Sequence, residues 1–293
     1  MTPTTRTFHP VLTSAGPAGG MIAFAFATVD ATLTLSFDER GDRPTHAGQR
    51  AVDHFLLAQG VQGTVQVDTD LAAELWTDPA WELSLATNAL VALRDALPGL
   101  SEQLWPEHIL ASLQTQKLAR TMIDGHRVRA AMGPGVHARV DYDGGAVDFD
   151  LPDAAMIWIR PPLAPSPRAW TQAQSGTVSV KRAQANAEKL AATLLRAACN
   201  DGIAIFQAWE DIDLPESILA AYSGWLPALH AARNAAAHAH IGLVGAGPDM
   251  LIVAGDEATA SAAAQAALLT FEAHALDCDV HAWSSITEDL ENE

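Results

Sequence analysis

The sequence predicts a two-domain α+β protein, and three observations carry that reading. The chain has 293 residues, 49% of them apolar, enough for two cores of ordinary size. Period-2 and period-3.6 apolar patterns alternate along it. The second half runs strand, helices, two strands, helix, strand, which is the split β-α-β layout of a ferredoxin-like domain. An N-terminal α/β domain over 1–152 and a C-terminal ferredoxin-like domain over 153–293 follow. The cluster Pro161-Pro162-Leu163-Ala164-Pro165-Ser166-Pro167 is rigid and cannot join a central sheet, and it marks the junction region.

In order, Thr7 to Leu12 reads as a first strand and Thr13 to Gly20 as a turn of small residues. Met21 to Phe37 is rich in strand signals, with Thr32, Leu33, Thr34 and Leu35 alternating. His46 to Gln59 carries Val52, Phe55 and Leu56 at helical spacing and stops at Gly60. Gly63 to Val67 alternates as a strand. Asp70 to Ala96 holds one long helical pattern ended by Pro98-Gly99, and Pro106 to Met122 another helix. Val136 to Phe149 alternates around a turn at Asp143-Gly144-Gly145.

Ala154 to Ile159 is a short buried strand. Val178 to Asn200 is a helix with Ala187, Leu190, Ala191, Leu194 and Leu195 on one side, and Ile203 to Trp209 and Ser217 to Ala237 are further helices. Two apolar runs, Ile241 to Val244 and Met250 to Val253, flank Gly245-Ala246-Gly247-Pro248. Glycine allows the tight backbone and proline fixes φ, so this is a buried hairpin. Glu257 to His274 is an alanine-rich helix and Asp279 to Trp283 a last strand.

Net charge is −18, from 35 acids and 17 bases. That argues against nucleic acid or an anionic membrane as partner. Two cysteines, Cys199 and Cys278, imply no disulfide framework and suit a reducing compartment. Met1 to Pro10 lacks a basic-then-apolar signal pattern, and no run of about 18 apolar residues offers a membrane span. Cytoplasmic residence is expected.

Four stretches, taken together, resemble the GHMP small-molecule kinases. Phe8 to Gly20 resembles their first motif, a strand entering a Gly-Pro-Gly turn, with Ser14, Gly16 and Gly19 as candidate ligand contacts. Asp124-Gly125-His126-Arg127-Val128 through Gly133-Pro134-Gly135 is similar to the His-x-Asp-Asn stretch of homoserine kinases. Val178-Ser179 with Asn186 and Lys189 is similar to a helix carrying an Asn and an Arg. Gly245-Ala246-Gly247-Pro248-Asp249 resembles the third motif, placing Gly245, Gly247 and Asp249 beside a ligand. The resemblance spans nearly the whole chain. It implies a ribosomal-protein-like β-α-β fold for the N-terminal domain and a ferredoxin-like fold for the C-terminal one.

The departures bear on activity. The family cradles ATP phosphates in a glycine-rich loop at a helix N-terminus, where backbone N–H groups and the helix dipole favour anions. The matching stretch, Asp70 to Ser84, contains no glycine; it contains Asp70, Glu74, Trp76, Asp78, Trp81 and Glu82. Asp78 is a good N-cap and Pro79 a good first helical residue. The protein's own carboxylates therefore stand where a phosphate would. Each opposes an ATP tetra-anion by roughly 1 kcal/mol near a surface. The family's His-x-Asp-Asn stretch becomes His126-Arg127-Val128 here: the histidine persists, while the carboxylate and amide do not. The family's substrate-gripping arginine falls near Asp211 to Leu219, where none stands. Trp76 and Trp81 are expected to fill the vacated place or form an interface.

Other constellations are weaker. His238 and His240, with His230 before them, have metal-ligand spacing but no matched third ligand, so no metal is expected. His126 beside Arg127 and Arg129 is either a small-anion site or a solvated basic patch. The sequence thus supports a homoserine-kinase-like protein that has lost or altered ATP-dependent phosphoryl transfer, binds a small metabolite or acts as a partner subunit, and needs no cofactor. The alternative is an active kinase for the hydroxyl of homoserine or a similar amino acid, using ATP and magnesium, with His126 near the transferred group. A third class is an interaction protein, a homodimer joined through its tryptophan-rich helix.

Overall fold

Proline at position 10 divides the start of the chain into two strands that enter different sheets. In the computed structural model, β1 is Thr4–Phe8 and β2 is Val11–Thr13, where the sequence pattern suggests one strand over 7–12. Pro10 has no N–H to give a ladder. The structure describes residues 3–15, 20–37, 44–61, 64–99, 105–119, 124–139, 145–164, 180–199, 202–210, 216–245 and 247–284. Gly16, Gly19, Asp143-Gly144, Pro165 to Pro167, Val178-Ser179, Asp211 to Pro215 and Ala246 lie outside them.

The chain divides into two units, Met1–Thr13 with Ala18–Asp148, and Ser14–Pro17 with Phe149–Glu293. In the first, β3 (Ile22–Ala25), β4 (Ala31–Phe37), β5 (Val65–Thr69), β6 (Val136–Arg139) and β7 (Ala146–Phe149) join β1 and β2. Two sheets result, of order β1-β4-β5 and β2-β3-β6-β7. Four helices accompany them: α1 (Ala47–Ala58), α2 (Pro79–Ala96), α3 (Pro106–Thr115) and α4 (Gly125–Met132). Helix α2 is the centre of this unit. It is buried continuously from Leu83 to Leu93, so its apolar residues run all round it rather than along one stripe. The helical pattern over 70–96 therefore resolves into a 3₁₀ turn at Ala73–Leu75 and a helix that starts only after the Asp78 cap. Helix α3 stops well short of Met122. Lys117 takes φ 60°, and the N–H of Leu118 bonds back to the Leu113 carbonyl at 3.0 Å, a left-handed stop of the Schellman kind.

In the second unit, β8 (Ala155–Arg160), β9 (His240–Leu243), β10 (Met250–Ala254) and β11 (Asp279–Ser284) form one antiparallel sheet of order β11-β8-β10-β9. Fourth, first, third, second is the strand order of a ferredoxin-like domain, as the element order predicts. Its helices are α5 (Val180–Ala198), α6 (Ala204–Glu210), α7 (Glu216–Leu219), α8 (Trp225–Ala235) and α9 (Glu257–Ala273). The expected helix over 217–237 is interrupted at Gly224, which takes φ 73°. Ile157, Ile159, Ile241, Leu243 and Ile252 face α8 and α9, meeting Trp225, Leu229, Ala267 and Phe271 in one core. On the other face, Trp209 of α6 lies over Gly242 of β9 so closely that a Cβ there would stand 2.2 Å from its Cδ1. Pro161 and Pro162 follow β8 directly, so the proline cluster begins inside this unit and not between the two.

Candidate functional site

The start of α2, where the family resemblance places a phosphate cradle, is closed by the chain itself. Asp78 accepts the Ala80 N–H on its side chain at 2.8 Å. Its backbone carbonyl accepts the N–H groups of Trp81 at 3.0 Å and Glu82 at 2.8 Å. The bond from Glu82 is the helix's ordinary first rung and Pro79 has no N–H, so the two first-turn donors that could face an anion, Ala80 and Trp81, are already used. Trp81 is 2% exposed and meets Phe8 edge to face with ring centroids 5.7 Å apart. It fills the core of the first unit, which excludes it from an intermolecular interface and overturns that part of the expectation. Trp76 is half-buried. Its indole N–H donates to the Leu71 carbonyl at 3.0 Å, and its ring stands edge-on to His46 at 5.1 Å.

The acids of this stretch hold the fold. Asp70 accepts the N–H and the hydroxyl of Thr32, both at 2.7 Å, and so ties the end of β5 to β4. Glu82 pairs with Arg50 at 3.2 Å, while Glu74 is exposed on the 3₁₀ turn. His46 caps α1: its Nδ1 accepts the Gln49 N–H, and its Nε2 donates to the Val67 carbonyl at 3.0 Å. Burial pushes the His46 pKa down, which keeps the ring neutral and the cap intact.

Candidates around the glycine turn do come together, within the second unit. Ser14 forms an antiparallel bridge to Val244. The Val244 N–H donates to the Asp249 carbonyl at 2.9 Å, and the Gly247 N–H to the Val244 carbonyl at 2.8 Å. Gly245 and Gly247 take φ 55° and 75°, and the Gly247-Pro248 peptide is cis. A Cβ on Gly247 would lie 2.7 Å from the buried Tyr222 ring, so this glycine is required by packing as well as by its backbone angle. Asp249 does not leave an open negative charge beside the turn. Its Oδ2 accepts from Trp158 Nε1 at 3.0 Å and Arg160 Nε at 3.2 Å, and the guanidinium sits 4.7 Å over the Trp158 ring. Arg160 and Asp249 cancel each other in a partly buried cross-strand pair.

His126 is fully buried on α4. The solvated basic patch also dissolves on inspection. Arg127 pairs with Asp124 at 3.1 Å and donates to the Pro79 carbonyl at 2.9 Å. Arg129 is shared between Glu107 and Asp148 at 3.3 Å each. His240 pairs with Glu210 at 3.3 Å, and Arg233 pairs with the same carboxylate. Burial raises the Glu210 pKa, but the hydrogen bonds from His240 and Arg233 outweigh it and hold the group ionised. Among the described residues no three His, Cys, Asp or Glu side chains gather as a metal site. Lys189 is exposed on α5, and the Asn186 side chain lies outside the described residues.

Sequence reasoning missed the polar seam beside α2. Arg6 Nε donates to Asn88 Oδ1 at 2.7 Å, Asn88 Nδ2 donates to the Ala131 carbonyl at 2.9 Å, and Arg6 Nη2 reaches the Met132 carbonyl. Ser84 donates its hydroxyl proton to the His9 carbonyl. This seam joins β1, α2 and the end of α4. The local hint was polar Ser84 and Asn88, with Thr87 between them, in the largely apolar stretch Leu83 to Leu93.

No protein-family model and no curated protein matches the sequence. Solved structures do match in fold. Homoserine kinase from Cytophaga hutchinsonii ATCC 33406 superposes with a TM-score of 0.74 at 16% identity, over 97% of this chain and 95% of that one. Mevalonate pyrophosphate decarboxylase from Streptococcus pyogenes gives 0.65 at 15% identity, over 97% and 98%. Phosphomevalonate kinase from Streptococcus pneumoniae gives 0.64 at 12% identity, over 97% and 100%. Among the described residues, no helix is long and apolar enough to cross a membrane. Over 97% of its length, this chain has the GHMP-kinase fold shared by those enzymes.

Proposed function

We propose that this chain is a homoserine-kinase-like protein that no longer performs ordinary ATP-dependent phosphoryl transfer, and that it binds a small metabolite or acts as a partner subunit. One observation carries the reading: the two first-turn amides of α2 that could face an anion, Ala80 and Trp81, are satisfied by Asp78. A phosphate held there needs those donors free, and it would meet Asp78 and Glu82 instead of glycine backbone. Buried Trp81 closes the same turn from inside. The proposal includes a homodimeric, cytoplasmic protein with no cofactor. The homodimer cannot use Trp81.

The experiment is a transfer assay with γ-labelled ATP, magnesium and a panel of small hydroxy amino acids beginning with homoserine, followed by calorimetry of the same amino acids without nucleotide. The expected result is no phosphorylated product, with binding heat for an amino acid alone. Labelled product would overturn the proposal in favour of an active kinase with an unusual nucleotide site.

A further inference from the structure

Among the described residues, the helix layer over the second unit's sheet stops one strand short. Helix α9 packs over β8 and β10, while Val280 on the same face of the edge strand β11 stays 43% exposed. The gap is a groove of about 700 Å³. One wall is a single stripe of α9: Ser261, Ala264, Gln265, Leu268, Leu269 and Glu272. These stand at i, i+3, i+4, i+7, i+8 and i+11, one face of a helix. Ile157 forms part of the floor, and Leu276, Asp277 and Val280 complete the opposite wall. Leu269 is 60% exposed at the rim. The stripe covers eleven residue steps, roughly 16 Å at the α-helical rise, and helices pack side by side at about 8–10 Å.

Charge selects what fits. From Asp249 to the end of the chain there are ten acids and no lysine or arginine. Glu272 and Asp277 border the groove itself. Arg160, the nearest cation along β8, lies on the opposite face of the sheet, paired with Asp249. Burial and the nearby Asp277, Asp279 and Asp249 raise the Cys278 thiol to about 11, in keeping with an anionic surround. The same face of a second copy is a poor occupant, since from Asp249 onward it offers no lysine or arginine. The chain's own last nine residues, with four acids and no base, are equally mismatched.

We propose that the groove between α9 and β11 seats a cationic amphipathic helix from a different protein. Its aliphatic side chains would cover Ile157, Leu268, Leu269 and Val280, and its lysines or arginines would meet Glu272 and Asp277. This completes the helix layer over β11 and withdraws an apolar groove from water. The inference does not depend on whether the chain transfers phosphate.

The test is fluorescence anisotropy of the full chain with a labelled 14-residue peptide of leucine and lysine, its leucines at i, i+3, i+4 and i+7. The control peptide has glutamate in place of lysine. Saturable binding of the lysine peptide, and none of the glutamate peptide, is expected. The double variant Leu269→Lys with Val280→Lys should weaken binding at least tenfold. The double variant Leu57→Lys with Val61→Lys makes the same charge change on exposed residues of the first unit, and it should leave binding within twofold. Equal weakening by both pairs would show that only net charge is read, and would overturn the proposal. So would binding of the glutamate peptide, or no saturable binding at all.

Discussion

Replacing Trp81 by alanine separates a core residue from a surface one at the position where a phosphate loop would lie. The side chain is 2% exposed and packs edge to face on Phe8 at 5.7 Å. Truncating a buried tryptophan costs about 3–5 kcal/mol in lost transfer energy and cavity. One term runs the other way. Among the described residues, the buried Trp81 Nε1 has no hydrogen-bond partner, and removing an unpaired buried donor returns about 1 kcal/mol. The net loss is then about 2–4 kcal/mol, a fall of roughly 5–15 °C in midpoint for a unit of this size. Differential scanning calorimetry of the full chain reads it directly. Trp81→Phe keeps most of the volume and removes the unpaired donor, so it should lose less than about 1 kcal/mol. If Trp81→Ala leaves the transition within about 1 °C, the side chain is not part of the core, and the reasoning that the chain fills this place fails.

Three further outcomes follow from local geometry. Gly242→Ala drives a Cβ into Trp209 and should destabilise the second unit by about 1–3 kcal/mol, seen as a lower midpoint and altered near-ultraviolet dichroism. Asp78→Ala removes the α2 cap and should cost about 1 kcal/mol in denaturant unfolding, without creating any nucleotide affinity. Acid should destabilise the first unit through His46, whose pKa is depressed by burial against a small opposing pull from the Val67 carbonyl and Asp68. The native state binds fewer protons than the unfolded one, so the contribution is complete above the ordinary histidine pKa. It is lost as pH falls toward the depressed native value. His46→Asn, which keeps a capping oxygen, should flatten that slope in unfolding measured from pH 8 to 5.

Elements with their own punctuation were legible in the sequence. Asp78-Pro79 starts α2, and the alternating runs around Gly245 to Pro248 make the β9–β10 hairpin. The ferredoxin-like strand order followed from element order alone. What stayed hidden depends on partners far along the chain. The partners of Asp249, read only as a residue beside a ligand, stayed hidden because Trp158 and Arg160 lie 91 and 89 residues away. Arg6 and Asn88 are 82 residues apart, so nothing local announced the seam that locks α2. Arg129 read as part of a basic patch because Asp148 and Glu107 are brought to it only by folding, and the Pro79 carbonyl reaches Arg127 in the same way. The Gly224 break in a strong helical pattern reflects a positive φ, which a window of helix formers does not reveal. Burial of Trp81 needed the three-dimensional neighbour Phe8, since a tryptophan in the first turn of a helix suits a core and an interface equally well.

Titration calorimetry with magnesium-ATP measures whether the start of α2 is sealed against nucleotide phosphates. A sealed turn gives no saturable heat up to millimolar nucleotide and no rise in thermal midpoint with added magnesium-ATP. Binding at low-millimolar affinity or tighter would contradict it. At a hundredfold excess over its Kd, such a ligand would stabilise the chain by about 2.7 kcal/mol, a shift too large to miss.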